Sequence, residues 1–248
     1  MIHYHGLPIT PLPAAKAAIW SGHAFVSHRY PEQLGLVLEV CQSFALDNGA
    51  FSAWKSGKPV EDWSEYYAWV DDLRKYPGFD FAVIPDVIDG DESANDALIE
   101  EWPWQDARDL GVGAPVWHMN ESLNRLERLA NDWPRVCIGS SGDYANVGDA
   151  KWWIRIAEAM EFACDDEGRP LTKLHGLRML DPDVFGKLPF SSADSTNIAR
   201  NVGIDVKWRG TYTPVSKDTR AIVMRERIET FQSLTHWTAP GIQQALDF

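Results

Sequence analysis

Four aspartates and two histidines stand directly after, or inside, short apolar runs of this 248-residue chain. Asp47 closes Phe44 to Leu46, Asp86 and Asp89 follow Phe79 to Ile84, and His118 follows Ala114 to Trp117. The small-residue turn Gly139-Ser140-Ser141-Gly142 follows Val136 to Ile138, His175-Gly176 interrupts Leu174 to Leu177, and Asp194 comes after Leu188 to Phe190. Clustered carboxylates suit two chemistries. Oxygen-rich sites hold Mg²⁺ or Ca²⁺. Without a metal, one carboxylate attacks an anomeric carbon while a second group handles the proton, a division that needs two acids in different environments. Asp47 and Asp194 could form that pair. Zinc is disfavoured, since no His-x-x-x-His or Cys and His pair occurs at ligand spacing.

These residues meet only if the apolar runs are strands of one sheet. Besides the runs above, Ala24 to Ser27 reads as a strand, and His3-Tyr4-His5-Gly6 begins the first one. Between most of them lie stretches with helical spacing: Val60 to Tyr76, Glu92 to Leu110, Glu121 to Asp132, Gly148 to Asp165 and Lys217 to Leu234. Asn120 with Glu121, and Asp149 before Trp153, Ile156 and Ala157, are expected helix starts. Strand, helix, strand in repetition means a parallel sheet. At 248 residues the expectation is an α/β fold, a (β/α)8 TIM-like barrel, with an open doubly wound sheet as the alternative. One domain is expected over 1–248, with a C-terminal helical segment at about 217–235. In a barrel all strand C-termini open on one face, so the acids, histidines and glycine turn would converge there.

Composition narrows the function classes. A formal charge of −13 argues against a broad nucleic-acid surface, because phosphate binding draws on Lys and Arg displacing counterions. A local strip is compatible with that charge: Lys187, Arg200, Lys207 and Arg209 put four cations near Asp194. Three cysteines, Cys41, Cys137 and Cys164, cannot all pair, and no stretch nears the roughly 20 apolar residues of a membrane span. A cytoplasmic protein with no membrane partner is expected, and no cofactor or metal. The twelve tryptophans read mainly as core and helix-face packing, though some could line a groove.

Leu46-Asp47-Asn48-Gly49-Ala50-Phe51 resembles the Asp-Ser-Gly-Gly-Phe/Tyr motif of the tRNA-guanine transglycosylases. Ala193-Asp194-Ser195-Thr196-Asn197-Ile198-Ala199-Arg200 resembles their later Asp-Cys-Val-x-Pro-Thr-Arg segment, while Ile138 to Gly142 and Leu174-His175-Gly176 resemble the base-binding turn and the Met-Gly strand end. The likeness spans roughly residues 40 to 201. It implies that Asp194 is a nucleophile forming a covalent sugar intermediate and that Asp47 handles protons. Phe51 and His175 would face the two sides of a flipped base, and Asp86 or Asp89, His118, Gly139 and Ser140 would bind it or read its edge. Arg200 would contact a phosphate. The family's C-terminal zinc motif is absent, since no cysteine lies beyond Cys164, and Tyr-Ala-Asn-Val-Gly replaces the usual Val-Gly-Glu pattern. The shortened form looks more like phage and bacterial relatives that act on DNA, exchanging guanine for a 7-deazaguanine or excising a modified base. DNA is therefore the expected polymer ahead of RNA.

Plainer readings stand beside these. Asp194 could cap the helix that follows, Asp47 and one of Asp86 and Asp89 could be turn residues, Phe51 could be core, and either histidine could be buried with a backbone partner. A hydrolase of free nucleosides or nucleotides, or a noncatalytic protein sequestering a nucleotide-like ligand, would also use such a pocket. The base, the strandedness and the oligomeric state have no signature in the chain.

Overall fold

The computed structural model describes residues 1–105, 110–204 and 213–239. Among these residues nine parallel strands, in the order β5-β4-β3-β2-β1-β9-β8-β7-β6, curl into a nearly closed barrel. They are β1 (Ile2–Gly6), β2 (His23–Ser27), β3 (Ser43–Asp47), β4 (Phe79–Val83), β5 (Gly113–Ala114), β6 (Val116–His118), β7 (Arg135–Gly139), β8 (Lys173–Gly176) and β9 (Ser192–Ser195). The ninth strand reflects a single proline. β5 and β6 are two pieces of one run separated by Pro115, which has no N–H for the ladder. The first piece pairs with β4 and the second with β7, and Pro115 still accepts the Cys137 amide at 2.8 Å. The TIM-like barrel expected from the alternation is the fold observed.

Helices alternate with the strands: α1 (Leu12–Ile19), α2 (Leu34–Val40), α3 (Ala50–Lys55), α4 (Ser64–Leu73), α5 (Glu92–Glu100), α6 (Leu123–Asp132), α7 (Ala150–Ala163), α8 (Pro182–Phe185), α9 (Asn197–Asn201) and α10 (Lys217–Glu229). Asp149 caps α7 as expected, accepting the Trp152 amide at 2.8 Å. For α6 the cap is Ser122, two residues later than Asn120, because Glu121 is drawn inward. The run Leu188 to Phe190, expected as a strand, is not one. Leu188 and Phe190 are core residues of the connection after α8, and the strand is the more polar Ser192–Ser195.

The period of two along each strand separates two apolar layers. Ala24, Val26, Phe44, Leu46, Ala82, Ile138 and Ala193 pack outward against the helices. Tyr4, Phe25, Ala45, Phe81, Val83, Ala114, Val116 and Cys137 fill the interior. Deeper in the barrel Arg135 grips Asp80 with two 3.0 Å hydrogen bonds, and the Tyr4 hydroxyl donates to the same carboxylate. His3 and His5 face away from the interior, bonded to the Phe231 carbonyl and the Glu229 carboxylate at 3.0 Å each. Among the described residues no helix is long and apolar enough to cross a membrane.

Candidate active site

Counting outward along the interior-facing positions, the next residue after Phe25 is Ser27, after Ala45 is Asp47, after Val116 is His118, after Cys137 is Gly139 and after Ser192 is Asp194. All five line a pocket of about 210 Å³ at the C-terminal mouth. Strand periodicity thus turns an interior apolar plug into a polar floor within one step.

Asp47 ends β3, and the chain must turn at once to begin α3 and bring Phe51 to the pocket wall. Gly49 makes that turn with φ 81°, where a Cβ would also lie 3.2 Å from Arg29 Cβ. Although part of Asp47 opens to the pocket, burial pushes its carboxyl up to about 6. The Asp194 and Asp86 charges add to this, and the Ser27 hydroxyl and Gly49 amide oppose it.

Asp194 lies inside β9, in register with Tyr4 of β1. It does not cap α9, whose N-cap is Thr196 with no side-chain bond. Its Oδ1 instead accepts the Arg178 backbone N–H at 2.8 Å, with His175 Nε2 3.4 Å away. Among the described residues Oδ2 takes no hydrogen bond and is left for the pocket. The Arg178 amide points there because its backbone is left-handed, φ 61°, a conformation costly for a residue with a Cβ.

His175, expected against the base, does not line the pocket. It is fully buried, bonded through Nδ1 to Ser192 Oγ at 2.8 Å and stacked on Phe25 at 5.3 Å. The same periodicity that places Asp194 at the mouth leaves His175 one layer below it. Burial lowers its pKa, against the pull of Asp194, so a neutral imidazole underlies the carboxylate at pH 7. Phe51 does line the pocket, and its ring carries the Arg178 guanidinium 4.0 Å from the centroid. That guanidinium also donates to the Ser140 carbonyl at 2.8 Å.

On the opposing wall His118 Nε2 stands 2.9 Å from Asp86 Oδ2. The angle is poor, and neither ring nitrogen has an aligned partner. Asp86 Oδ1 accepts from Asn48 Nδ2 at 2.8 Å, and the same amide donates to the Ile84 carbonyl at 2.9 Å. Gly139 permits the close packing of this wall, because a Cβ there would lie 3.1 Å from His118 Nδ1. Behind it, Glu121 accepts the His118 amide at 2.9 Å, Arg125 at 2.6 Å and Asn95 at 2.9 Å. Ser140 lines the pocket, but its hydroxyl accepts from Trp152 Nε1 at 2.8 Å.

The remaining sequence candidates divide. Asp89 is exposed and outside the pocket, so Asp86 is the acid of that loop at the site. Arg200 of α9 lines the rim, whereas Lys187 packs over Trp153 at 5.1 Å, away from the pocket. Lys207 and Arg209 lie outside the described residues. No described tryptophan lines the pocket, and no three His, Cys, Asp or Glu side chains among the described residues could share an ion. Arg178, Asn48 and Glu121 were not singled out as site residues. Arg178 could have been, since it follows a predicted strand end as Asp47 and His118 do.

Comparison with protein-family models, with curated proteins and with solved structures finds no match in any of the three. The likeness to the transglycosylases therefore stays at the level of the motifs quoted above.

Proposed function

We propose that this protein cleaves the N-glycosidic bond between a nucleobase and its sugar, with a flipped nucleotide of DNA as substrate. The observation that carries the reading is one pocket in which, beside Asp86, the Asp194 and Asp47 carboxyls stand in unlike settings. Asp194 is held by the Arg178 amide with one oxygen left unbonded, and Asp47 is raised to about 6, near the pH at which an acid and base must work.

In this reading the extruded base occupies the mouth, and Asp86 and His118 bond its edge. Asp194 Oδ2 attacks C1′. The C1′–N bond breaks, its electron pair stays on the base nitrogen, and the Asp47 carboxyl supplies the proton. A glycosyl ester then joins C1′ to Asp194. Asp47, now a carboxylate, takes a proton from the next nucleophile, which displaces Asp194 from C1′. Water leaves an abasic site, and a 7-deazaguanine gives base exchange. DNA is placed ahead of RNA because Tyr-Ala-Asn-Val-Gly stands where the tRNA-acting family has its Val-Gly-Glu pattern.

The test is to incubate wild type and Asp194→Ala with plain and modified DNA and with tRNA, with and without 7-deazaguanines, and to identify released bases by mass spectrometry. The reading expects release from DNA by wild type alone. No release from any polymer would overturn it.

A further inference from the structure

The period of two that brings Asp194 to the mouth puts Ser192 on the same side of β9, one step deeper. His175 of β8 is the register partner of Ser192, and its ring bridges the two residues. Nδ1 lies 2.8 Å from Ser192 Oγ, and Nε2 lies 3.4 Å from Asp194 Oδ1. Among the described residues Nε2 has no aligned hydrogen-bond partner, and Oδ1 is the acceptor it stands beside. Phe25 stacks on the ring while Tyr4 and Phe81 meet it edge-on, and the carboxylate of Asp80 is taken up by Arg135 and the Tyr4 hydroxyl. Burial keeps the imidazole neutral at pH 7, so one nitrogen carries a proton and the other a lone pair. A proton on Nδ1 would turn the Nε2 lone pair on the Asp194 carboxylate. It would also leave the Ser192 hydroxyl hydrogen without an acceptor, since Ser192 Oγ has no other hydrogen-bond partner among the described residues. A proton on Nε2 removes both conflicts: the Ser192 hydroxyl donates to Nδ1, and Nε2–H faces Oδ1.

We infer that Ser192 locks His175 with its proton on Nε2, and that His175 is a positioning residue which, with the Arg178 amide, holds Asp194 Oδ1 and eases the departure of this carboxylate from C1′. The inference rests on the glycosidase reading for the reaction. Two donors on Oδ1 leave Oδ2 as the attacking oxygen. They also favour the free carboxylate over its ester, because a hydrogen bond to a charged acceptor is roughly twice as strong as one to a neutral acceptor. The two steps therefore respond differently. Ester formation starts from the stabilised carboxylate and gains nothing from the donors. In the second step the nucleophile bonds to C1′, the C1′–Oδ2 bond breaks with its electron pair returning to Asp194, and the proton of the nucleophile goes to Asp47. Charge growing on Asp194 is then met by Nε2–H and the Arg178 amide.

Two measurements test this. Nitrogen-15 NMR of histidine-labelled wild type, without substrate at pH 7, should show His175 protonated at Nε2 and bare at Nδ1. The second compares wild type with His175→Gln, whose side-chain amide reaches as far as Nε2, and His175→Asn, which reaches only as far as Nδ1. Each protein, in excess, is mixed with a labelled DNA strand from which wild type releases a base, quenched with acid over time, and assayed for released base and for protein-linked label. His175→Asn should release the base no more slowly than wild type, yet its linked species should peak higher and decay about tenfold more slowly, the lower end for a hydrogen bond to a charged group. His175→Gln should behave like wild type. A general loss of structure would instead slow base release. Slowed release with no gain in linked protein, or the same behaviour in both variants, would overturn the inference, as would a proton on Nδ1. The two readings fail separately. Absence of base release from every polymer removes the glycosidase, while the tautomer, read without substrate, stands or falls on the NMR alone.

Discussion

Replacing Asp47 with asparagine should make the folded protein more stable at neutral pH. Burial raises this carboxyl from an ordinary value near 3.8 to about 6 in the folded state. Between those values the folded state binds the proton more tightly than the unfolded chain, so Asp47 lowers stability as pH rises through that window. Above about pH 7 the loss is complete. A rise of this size corresponds to about 3 kcal/mol, and the partial opening of Asp47 to the pocket reduces it to roughly 2 kcal/mol. Asparagine keeps the shape and carries no charge, so Asp47→Asn should recover that amount at pH 7.5. In thermal unfolding this is a rise of about 4 to 8 °C for a domain of this size. The gain should shrink toward zero as pH falls to 4, where the wild-type carboxyl is neutral as well. Melting curves of both proteins from pH 4 to 8 measure it directly. A variant no more stable than wild type at pH 7.5, or a gain that persists unchanged at pH 4, would refute the account of a charge forced into a buried site beside Asp194 and Asp86.

Other substitutions probe the supports of the site. Arg178→Gly should be more stable than Arg178→Ala by about 1 kcal/mol in denaturant titrations, because the left-handed backbone at this position penalises a Cβ. Asn48→Ala should destabilise by about 1 to 3 kcal/mol by orphaning the Ile84 carbonyl and Asp86 Oδ1, measured by the same titrations. Gly139→Ala should leave the melting temperature within a few degrees of wild type but raise KM for base release, since the methyl displaces His118 from the pocket wall. The discriminating quantity is the KM-to-kcat split, and an unchanged KM would mean that His118 does not read the base.

The barrel was legible because its signals are long-range and repetitive. Apolar runs alternating with helical stretches specify parallel strands, and Asp47 and His118 were found because strand ends of a barrel share one face. Three features escaped for physical reasons. β9 is a strand whose residues, Ser192 to Ser195, are small and polar, so it borrows its stability from Tyr4 and His175 beside it, and the apolar connection at Leu188 and Phe190 reads as the strand instead. His175 and Asp194 look alike from strand position, yet one lies a layer deeper, a difference of register between β8 and β9 that no local pattern encodes. Arg178 follows a predicted strand end, so its place at the mouth could be read, but the left-handed backbone that aims its amide at Asp194 has no sequence sign in an arginine.

The central claim is that the Asp194 carboxylate bonds to C1′ during turnover. The direct measurement is to quench wild type, Asp194→Ala and Asp47→Asn with acid during reaction on a labelled DNA strand that releases a base, then to resolve protein-linked label on denaturing gels and map it by peptide mass spectrometry. The account predicts a strand-linked wild-type protein with the sugar on the peptide containing Asp194, and no linked species in Asp194→Ala. Base release by Asp194→Ala at the wild-type rate, or a sugar mapped to any other residue, would contradict it.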